Sequence, residues 1–275
     1  MKNKKNKPLF TRIMNGIVKT LIAIVVLAIL VAAAGAFFLH YKYGVNAIDL
    51  TGELISINKS VDEGSLVTEK FTGEDLSAAS EKAAATSFSS HVIRFTEKEI
   101  AAYFADKLAN NGGISLDLQR NPTVEKLGLK VLQVEFTDIP SEGERYAEVR
   151  LVYNLSSEAA REVTGYPEWL FYRLMPKNIT VTSLFYIDKD SSSAYGYKVV
   201  PEEIKYNGMS AEKTADLSSS ANSVYGISKA EELNAAVGRL FAETIIGSET
   251  YGGIYSSLEE HGAEGYGFAK VSGEN

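Results

Sequence analysis

The chain has 275 residues, 45% of them hydrophobic, with a net charge of −7 and no cysteine. The lack of cysteine excludes disulfides, thiol catalysis, cysteine–zinc sites and a lipid-modified cysteine. Seven basic residues and no acidic residue lie in residues 1–46, so residues 47–275 carry a net charge of −14. Such a charge disfavours generic binding to nucleic acid or to anionic headgroups.

Residues 21–39 (LIAIVVLAILVAAAGAFFL) form an uncharged apolar segment. At a rise of about 1.5 Å per residue, a helix of this length reaches roughly 28 Å, close to the hydrocarbon thickness of a bilayer. Six of the seven basic residues precede the segment. The positive-inside rule therefore predicts a cytoplasmic N-terminus and an extracytoplasmic C-terminal domain at a bacterial plasma membrane.

A cleaved signal peptide is the alternative interpretation of this segment. Ala34-Gly35-Ala36 matches the small-residue pattern of a cleavage site, so cleavage after Ala36 stays open. The apolar run continues through Phe37–Leu39, which completes a full span and favours an uncleaved signal anchor.

Composition divides the chain into four predicted segments. They are a basic cytoplasmic stub (1–20), a transmembrane helix (21–39), a stalk with a spacer helix (40–90) and one extracytoplasmic domain (91–275). Within the stalk, residues 45–57 alternate loosely between apolar and polar positions, as in a first strand or an extended stalk. Thr72 and Asp75 have the spacing of a helix N-terminus, and the alanine-rich residues after them predict a surface helix.

The next helix signal begins at Thr96. Thr96 and Glu99 have the spacing of a capping box, in which each side chain accepts a hydrogen bond from the other's backbone N–H. Ile100, Phe104 and Leu108 then recur every four residues and predict one apolar helix face.

Beyond residue 112 the hydrophobic period changes to two. Leu132, Val134 and Phe136 alternate with polar residues, and so do residues 147–155 and 179–187. This period predicts antiparallel strands with one buried and one solvated face. The predicted fold class is therefore α+β, an antiparallel, curved sheet with packed helices.

Four weaker signals accompany these strands. They predict a short strand at 114–118, a loop or weak helix at 210–223, a helix capped by Ser228 that runs to Ile245, and a closing strand at 268–271.

An aromatic segment, residues 165–176, interrupts the predicted strands. Its apolar side chains go nearly around a helix that begins after Pro167. One interpretation is a core helix packed on the sheet. The functional interpretation is a lipid- or peptide-binding groove between this segment and the helix that begins at Thr96. Its candidate ligand-groove residues are Phe104, Leu108, Tyr166, Trp169, Phe171 and Tyr172.

Catalytic motifs are present only in incomplete form. Ser210 and Lys213 have the Ser-x-x-Lys spacing of penicillin-recognising enzymes, but Ser56 and Lys59 share that spacing and the partner motifs are missing. Carboxylate pairs such as Glu259-Glu260 do not define a glycosidase site, because that site is defined by separation in space. No catalytic residue is predicted.

Metal sites are also disfavoured by the pattern. Asp188, Asp190 and Ser192 have the spacing that begins a calcium loop, but Ser193 stands where the loop needs glycine and the flanking segments are strands. His40, His91 and His261 lack partners at metal-ligand spacing on a helix. No metal or cofactor is predicted.

The order of the segments resembles one family. It combines a basic stub and a single span with Phe95-Thr96-Glu97-Lys98-Glu99-Ile100, strands at 130–136 and 147–151, and Tyr206-Asn207-Gly208-Met209. This order resembles the YpmS-type membrane-anchored proteins of Gram-positive bacteria over roughly residues 90–245. The resemblance implies a helix packed on a curved sheet outside the membrane. The family supplies no established activity, and no site residue is transferred.

Three functions follow as hypotheses. The first is a single-pass, non-catalytic binding protein of the bacterial envelope, whose partner is a lipid, a membrane protein or another envelope component, and not a nucleic acid. The second is a scaffold or regulatory subunit of a membrane complex. The third is a cell-wall enzyme that uses paired carboxylates, one of which has a raised pKa.

Overall fold

A computed structural model gives the structure of the protein. It describes residues 26–28, 30–59, 61, 63–84, 92–110, 128–138, 145–158, 161–162, 165–192, 196–225, 230–247, 253–263 and 265. The chain forms two compact units, residues 1–51 and 52–275, and each is described by itself. The predicted strand at 114–118, Ser228, His91 and the closing strand at 268–271 lie outside the described residues.

The described helices and strands follow one another in groups, as is typical of an α+β protein. The helices are α1 (Val26–Tyr43), α2 (Ala47–Ile57), α3 (Glu63–Leu66), α4 (Gly73–Ala83), α5 (Glu97–Asn110), α6 (Glu168–Leu174), α7 (Ala211–Tyr225), α8 (Ala230–Ile245) and α9 (Ile254–Glu259). The strands are β1 (Lys130–Asp138), β2 (Arg145–Ser156), β3 (Asn178–Lys189) and β4 (Tyr197–Tyr206).

Among the described residues, α1 is the one helix long and apolar enough to cross a membrane. A signal sequence near the N-terminus meets the same criterion. None of α1 is buried, and its large side chains, such as Leu27 and Val31, are exposed. Aromatic rings gather at its C-terminal end, where Phe37 stacks on Tyr41 and the Lys42 ammonium lies 5.1 Å from the ring centre of Tyr43.

Residues 47–57 form a helix, so the predicted first strand in this region is wrong. Asn46 begins α2, since its side-chain oxygen accepts a hydrogen bond from the Ile48 backbone N–H at 3.0 Å. The apolar spacing did not distinguish a strand from a helix, because Leu54 and Ile57 also have helical spacing. In the helix that forms, Ile57 is buried.

The four strands form one antiparallel sheet in the order β1-β2-β3-β4. This confirms the α+β class and the antiparallel sheet with packed helices. In β2 and β3 the odd-numbered residues 147–153 and 179–187 are buried, as the period of two predicts. Register places Phe136 opposite Val149, and Val149 opposite Phe185, so these three side chains share the buried face.

Phe241 of α8 is at the centre of the core. Its ring centre lies 5.4 Å from Phe104 of α5, 5.4 Å from Phe185 of β3 and 6.1 Å from Phe136 of β1. The two helices α5 and α8 therefore cover the buried face of the sheet. Gly238 lets α8 come close, because a Cβ at this position would lie 3.0 Å from Val199 of β4.

The alanine-rich helix predicted after Thr72 is α4, which packs on α5 and α9. Ala79 and Ala83 are buried, which shows that small side chains can form a packed helix face. Asp75 accepts a hydrogen bond from the Thr72 backbone N–H at 2.7 Å, as expected at a helix N-terminus.

The capping box at the start of α5 is confirmed. The Thr96 backbone N–H donates to Glu99 Oε2 at 2.8 Å, and the Glu99 backbone N–H donates to Thr96 Oγ1 at 3.2 Å. Glu99 is buried, and Lys82 Nζ lies 2.6 Å from its Oε1. Because Lys82 Nζ also donates to the Arg94 backbone C=O at 2.8 Å, this ion pair joins α4 to the turn before α5.

The pairing of the described strands has three register shifts, of which one lies between Arg145 and Ala147 of β2. The register also shifts between Val131 and Gln133, so Leu132 has no cross-strand partner and Val131 replaces it on the buried face. The third shift lies between Leu184 and Phe185 opposite Pro201, which has no N–H to donate. Asn234 of α8 compensates, since its Nδ2 donates to the backbone oxygens of Glu203 at 3.1 Å and Leu184 at 3.3 Å.

Each edge strand has a backbone N–H bound by a side chain from a helix. Glu97 of α5 accepts a hydrogen bond from the Phe136 N–H of β1 at 2.7 Å. Thr214 of α7 accepts one from the Tyr206 N–H of β4 at 3.1 Å. These contacts occupy donors that an edge strand otherwise offers to another chain.

Asn207 ends β4 and joins three segments. It adopts a positive φ of 46°, and the next residue, Gly208, has a φ of 68°. Its Oδ1 accepts a hydrogen bond from the Thr180 N–H at 2.8 Å, and its Nδ2 donates to the Ile57 backbone oxygen at 2.6 Å. Asn207 therefore fixes the end of β4 to β3 and to the last turn of α2.

Candidate functional site

The aromatic helix α6 presents two of its five apolar side chains, Trp169 and Leu174, to solvent. It begins after Pro167, as predicted, and of its aromatic residues only Phe171 is buried, with 5% of its surface exposed. Trp169 is 70% exposed and Tyr172 is half-buried, with its ring packed edge-to-face on Phe171 at 5.4 Å. One buried ring therefore fastens α6 to the domain, and a tryptophan is left at the surface.

Hydrogen bonds hold the chain on the C-terminal side of α6. The buried Ser157 hydroxyl lies 2.6 Å from the Pro176 backbone oxygen and 3.1 Å from that of Lys177. The Ser157 backbone N–H also donates to the Lys177 oxygen at 3.0 Å. These bonds join the end of β2 to the segment between α6 and β3, so α6 has a fixed position next to the sheet.

A second contact brings the end of α2 to the end of α6. Asn58 Nδ2 donates a hydrogen bond to the Leu174 backbone oxygen. Ile55, which lies nearly one turn before Asn58, is 60% exposed. We use the name apolar patch for Ile55, Tyr166, Trp169 and Leu174, the large hydrophobic side chains that are exposed on these two neighbouring segments.

The structure gives the six predicted groove residues different surroundings. Phe104 is 1% exposed and packs edge-to-face on Phe241, so its ring belongs to the core between α5 and α8. Leu108 is half-buried at the other end of the same helix. In the aromatic segment, Phe171 is buried while Tyr166 and Trp169 are exposed. A groove wall shared by Phe104 and Trp169 remains a prediction.

The sequence did not predict the polar contacts that hold residues 66–68 against the face of the sheet opposite α5 and α8. Arg150 Nη1 lies 3.1 Å from Glu135 Oε2, and its Nη2 donates to the Leu66 backbone oxygen at 2.8 Å. Gln133 Nε2 donates to Thr68 Oγ1 at 2.8 Å. The only sequence signal for this contact is that Glu135 and Arg150 occupy polar positions of two paired strands.

Two tyrosine hydroxyls are buried between the sheet and the helices. The Tyr153 hydroxyl lies 3.3 Å from Ser183 Oγ, and the Tyr206 hydroxyl lies 3.4 Å from Ser218 Oγ of α7. Desolvation raises the pKa of Tyr153 and of Tyr206 above the usual value. Both groups stay protonated at neutral pH, so they act as neutral hydrogen-bond partners in the core.

The incomplete catalytic motifs have structural roles. Ser210 caps α7, because its Oγ accepts a hydrogen bond from the Lys213 backbone N–H at 3.4 Å. In the second Ser-x-x-Lys motif, Ser56 Oγ donates to the Gly52 backbone oxygen at 2.9 Å. Neither serine contacts the lysine side chain that acylation chemistry needs in any hydrogen bond of the described residues.

The acidic residues of the described segments do not form a metal cluster. At the hairpin tip, Asp190 Oδ1 accepts hydrogen bonds from the Ser192 backbone N–H at 2.9 Å and from its hydroxyl at 2.5 Å, which is the geometry of an ordinary turn. Burial raises the pKa of Glu243 on α8, and the charged group that opposes this shift is Arg239 rather than a second carboxylate. A carboxylate pair for hydrolysis is therefore not centred on Glu243.

Comparison of the chain with family models, curated proteins and solved structures returns no significant match. The candidate site thus rests on the exposed apolar patch.

Proposed function

We propose that this chain is a single-pass membrane protein that displays a non-catalytic α+β binding domain on the outer side of a bacterial plasma membrane. The observation that carries the proposal is α1, an apolar helix with no buried residue among those described. An exposed helix of this composition is unfavourable in water and favourable in lipid. The aromatic rings and Lys42 at its C-terminal end match the side chains found at a membrane interface.

The orientation in this proposal follows from charge. Six basic residues precede the span and only Lys42 follows it in residues 1–46, which favours a cytoplasmic N-terminus. The proposal retains the resemblance to YpmS-type proteins in the order of segments. That resemblance supplies a location for the domain and no activity.

The binding role is supported by the surface of the domain. Trp169 is 70% exposed, whereas other large aromatic residues of the domain, such as Tyr153 and Phe185, are buried. Exposed apolar side chains grouped on neighbouring segments mark interaction sites in soluble domains. The Ser-x-x-Lys serines, in contrast, serve as structural hydrogen-bonding groups, which favours binding over catalysis.

Cysteine labelling in intact cells tests the topology. The chain has no cysteine, so single substitutions Asn6→Cys and Ser191→Cys each create one thiol. A membrane-impermeant maleimide is expected to label the Ser191→Cys chain in intact cells and the Asn6→Cys chain only after permeabilisation. The reverse pattern contradicts the proposed orientation, and release of the Ser191→Cys chain in soluble form with a mass that starts at Phe37 contradicts the anchor.

Native mass spectrometry of the full chain tests the binding role. The chain is extracted with a mild detergent, and masses that remain bound after the detergent is removed are identified. A retained envelope component is the expected result, and its loss in the Trp169→Ala variant would place it on the apolar patch. A chain that retains no bound mass from membranes containing its natural envelope components contradicts the binding role.

A further inference from the structure

The exposed apolar side chains of the folded unit are concentrated beside the end of α2. The large hydrophobic residues that are exposed among the described part of residues 52–275 are Ile55, Val92, Tyr166, Trp169 and Leu174. All except Val92 belong to the apolar patch. The Asn58–Leu174 hydrogen bond holds the α2 part and the α6 part of the patch beside each other.

Chain length limits how far this patch can be from a membrane that holds α1. Three residues, 44–46, separate α1 from α2, and Ile55 lies on the third turn of α2. An extended linker followed by helix allows a separation of roughly 26 Å at most between Tyr43 and Ile55. A surface tethered at this distance meets the bilayer far more often than it meets any dissolved partner.

The composition of the patch matches the interfacial region of a bilayer. Tryptophan and tyrosine are enriched at this level because they join an apolar ring to a polar hydrogen-bonding group. Residues 165–177 have a net charge of +1 and residues 47–59, which carry Ile55, have a net charge of −1, so the two segments of the patch are neutral together in a domain that is strongly acidic. Anionic lipid headgroups therefore repel the patch less than they repel the rest of this acidic domain.

We propose that the apolar patch docks on the outer surface of the same bilayer that holds α1, with Trp169 at the headgroup level. This inference rests on the proposed membrane anchor. The docked patch fixes the orientation of the domain and turns α2, α6 and the adjacent ends of β2 and β3 toward the lipid. The hairpin between β3 and β4 then points away from the membrane.

The protein carries its own probe for this contact, because Trp169 is its only tryptophan. The full chain is reconstituted into phosphatidylcholine vesicles, and a parallel sample contains phosphatidylcholine brominated on the acyl chains near the headgroup. Bromine quenches tryptophan only at close contact. Flotation of the vesicles first separates anchored protein from free protein.

We expect the emission of Trp169 in floated protein to be quenched by brominated lipid and protected from aqueous iodide. The matched control combines Trp169→Phe with Ser191→Trp. Ser191 is exposed at the β3–β4 hairpin, roughly 36 Å along β3 from the α6 end. The control tryptophan is expected to show the opposite result, with iodide quenching and no bromine quenching.

Two further variants test whether the patch acts as a unit. Ile55→Ser and Leu174→Ser keep Trp169 and remove apolar surface beside it, and each is expected to reduce the bromine quenching of Trp169. Their folding is checked by near-ultraviolet circular dichroism. Unchanged quenching in both folded variants overturns the patch as the docking surface.

The outcomes separate this inference from the anchor. Floated protein whose Trp169 is quenched by iodide and not by brominated lipid overturns the docking alone. Equal bromine quenching of the control tryptophan overturns it as well, because the contact is then not specific to the patch. Protein that fails to float overturns the anchor, and the docking with it.

Discussion

Asn207 offers the sharpest test of how the folded unit is held together. Its Oδ1 accepts a hydrogen bond from the Thr180 N–H, and its Nδ2 donates to the Ile57 backbone oxygen. Both of these partner residues are buried. In the Asn207→Ala variant the two backbone groups lose their partners, and alanine must also adopt the positive φ that asparagine tolerates better.

The expected loss follows from these three terms. Each backbone group left without its partner costs about 1 kcal/mol, and the left-handed backbone costs alanine about 1 kcal/mol more. The variant should therefore lose about 3 kcal/mol of unfolding free energy, which lowers the Tm of a domain of this size by roughly 6–12 °C. The assay is thermal unfolding of the full chain in detergent micelles, followed by near-ultraviolet circular dichroism.

Two matched variants separate the terms. Asn207→Gly removes both side-chain hydrogen bonds without backbone strain, so its loss should be about 2 kcal/mol. Asn207→Asp keeps the acceptor for Thr180 but places a carboxylate oxygen against the Ile57 carbonyl oxygen, so it should lose at least as much stability as Asn207→Gly. The reasoning is refuted if Asn207→Gly unfolds at the wild-type temperature, because the two hydrogen bonds then contribute nothing.

Three other predictions concern packing and pH. The Gly247→Ala variant should lose more than about 2 kcal/mol of unfolding free energy or fail to fold, because φ is +110° and a Cβ would lie 1.8 Å from Ser256 Oγ. Denaturant unfolding measures this loss, and a midpoint equal to that of the wild type contradicts the prediction. The raised pKa of Glu243 means that its protonated form favours the folded state, so stability from this group is present below pH 4.5 and is lost as the pH rises through the folded pKa. The Glu243→Gln variant should lack this dependence of stability on pH. An unchanged dependence refutes the assignment to Glu243. Because burial raises the pKa of Tyr153 and Tyr206, both should resist ionisation above pH 10 until the domain unfolds, and ultraviolet titration that shows all tyrosines ionising in the folded state contradicts this.

Local signals in the sequence predicted the elements whose contacts are themselves local. The capping box of Thr96 and Glu99 was predictable because both partners lie within one turn. The alternation in 179–187 predicted β3 because every odd-numbered side chain meets the core. The helix after Pro167 was predictable from the proline and the apolar run that follows it.

Elements that depend on distant partners were not predictable from local pattern. The polar segment at 210–223 is the full helix α7, which is held by contacts of Thr214 and Ser218 with Tyr206. The glycine- and tyrosine-rich tail contains α9, and Ser257 Oγ at its centre donates to the Ala83 backbone oxygen at 2.8 Å. Neither contact leaves a periodic signal in the sequence.

The candidate site was only partly predictable for the same reason. The aromatic segment stood out by composition, but composition does not tell a buried ring from an exposed one. Phe104 has the same apolar character as Trp169, yet it packs on Phe241 while Trp169 lies at the surface. Ile55 could not be grouped with α6 from sequence, because the Asn58–Leu174 hydrogen bond that brings them together spans a separation of 116 residues.

The helix side chains that bind the edge strands bear on strand pairing between copies of the chain, which would be anchored side by side under the proposed function. Proteins that share a bilayer are confined to two dimensions and point the same way, so their sheet edges meet at a much higher local concentration than in solution. Strand pairing between such copies is the first step toward a growing aggregate. Glu97 and Thr214 occupy the Phe136 and Tyr206 N–H groups, so one backbone donor of each edge strand is closed to an incoming strand from another copy.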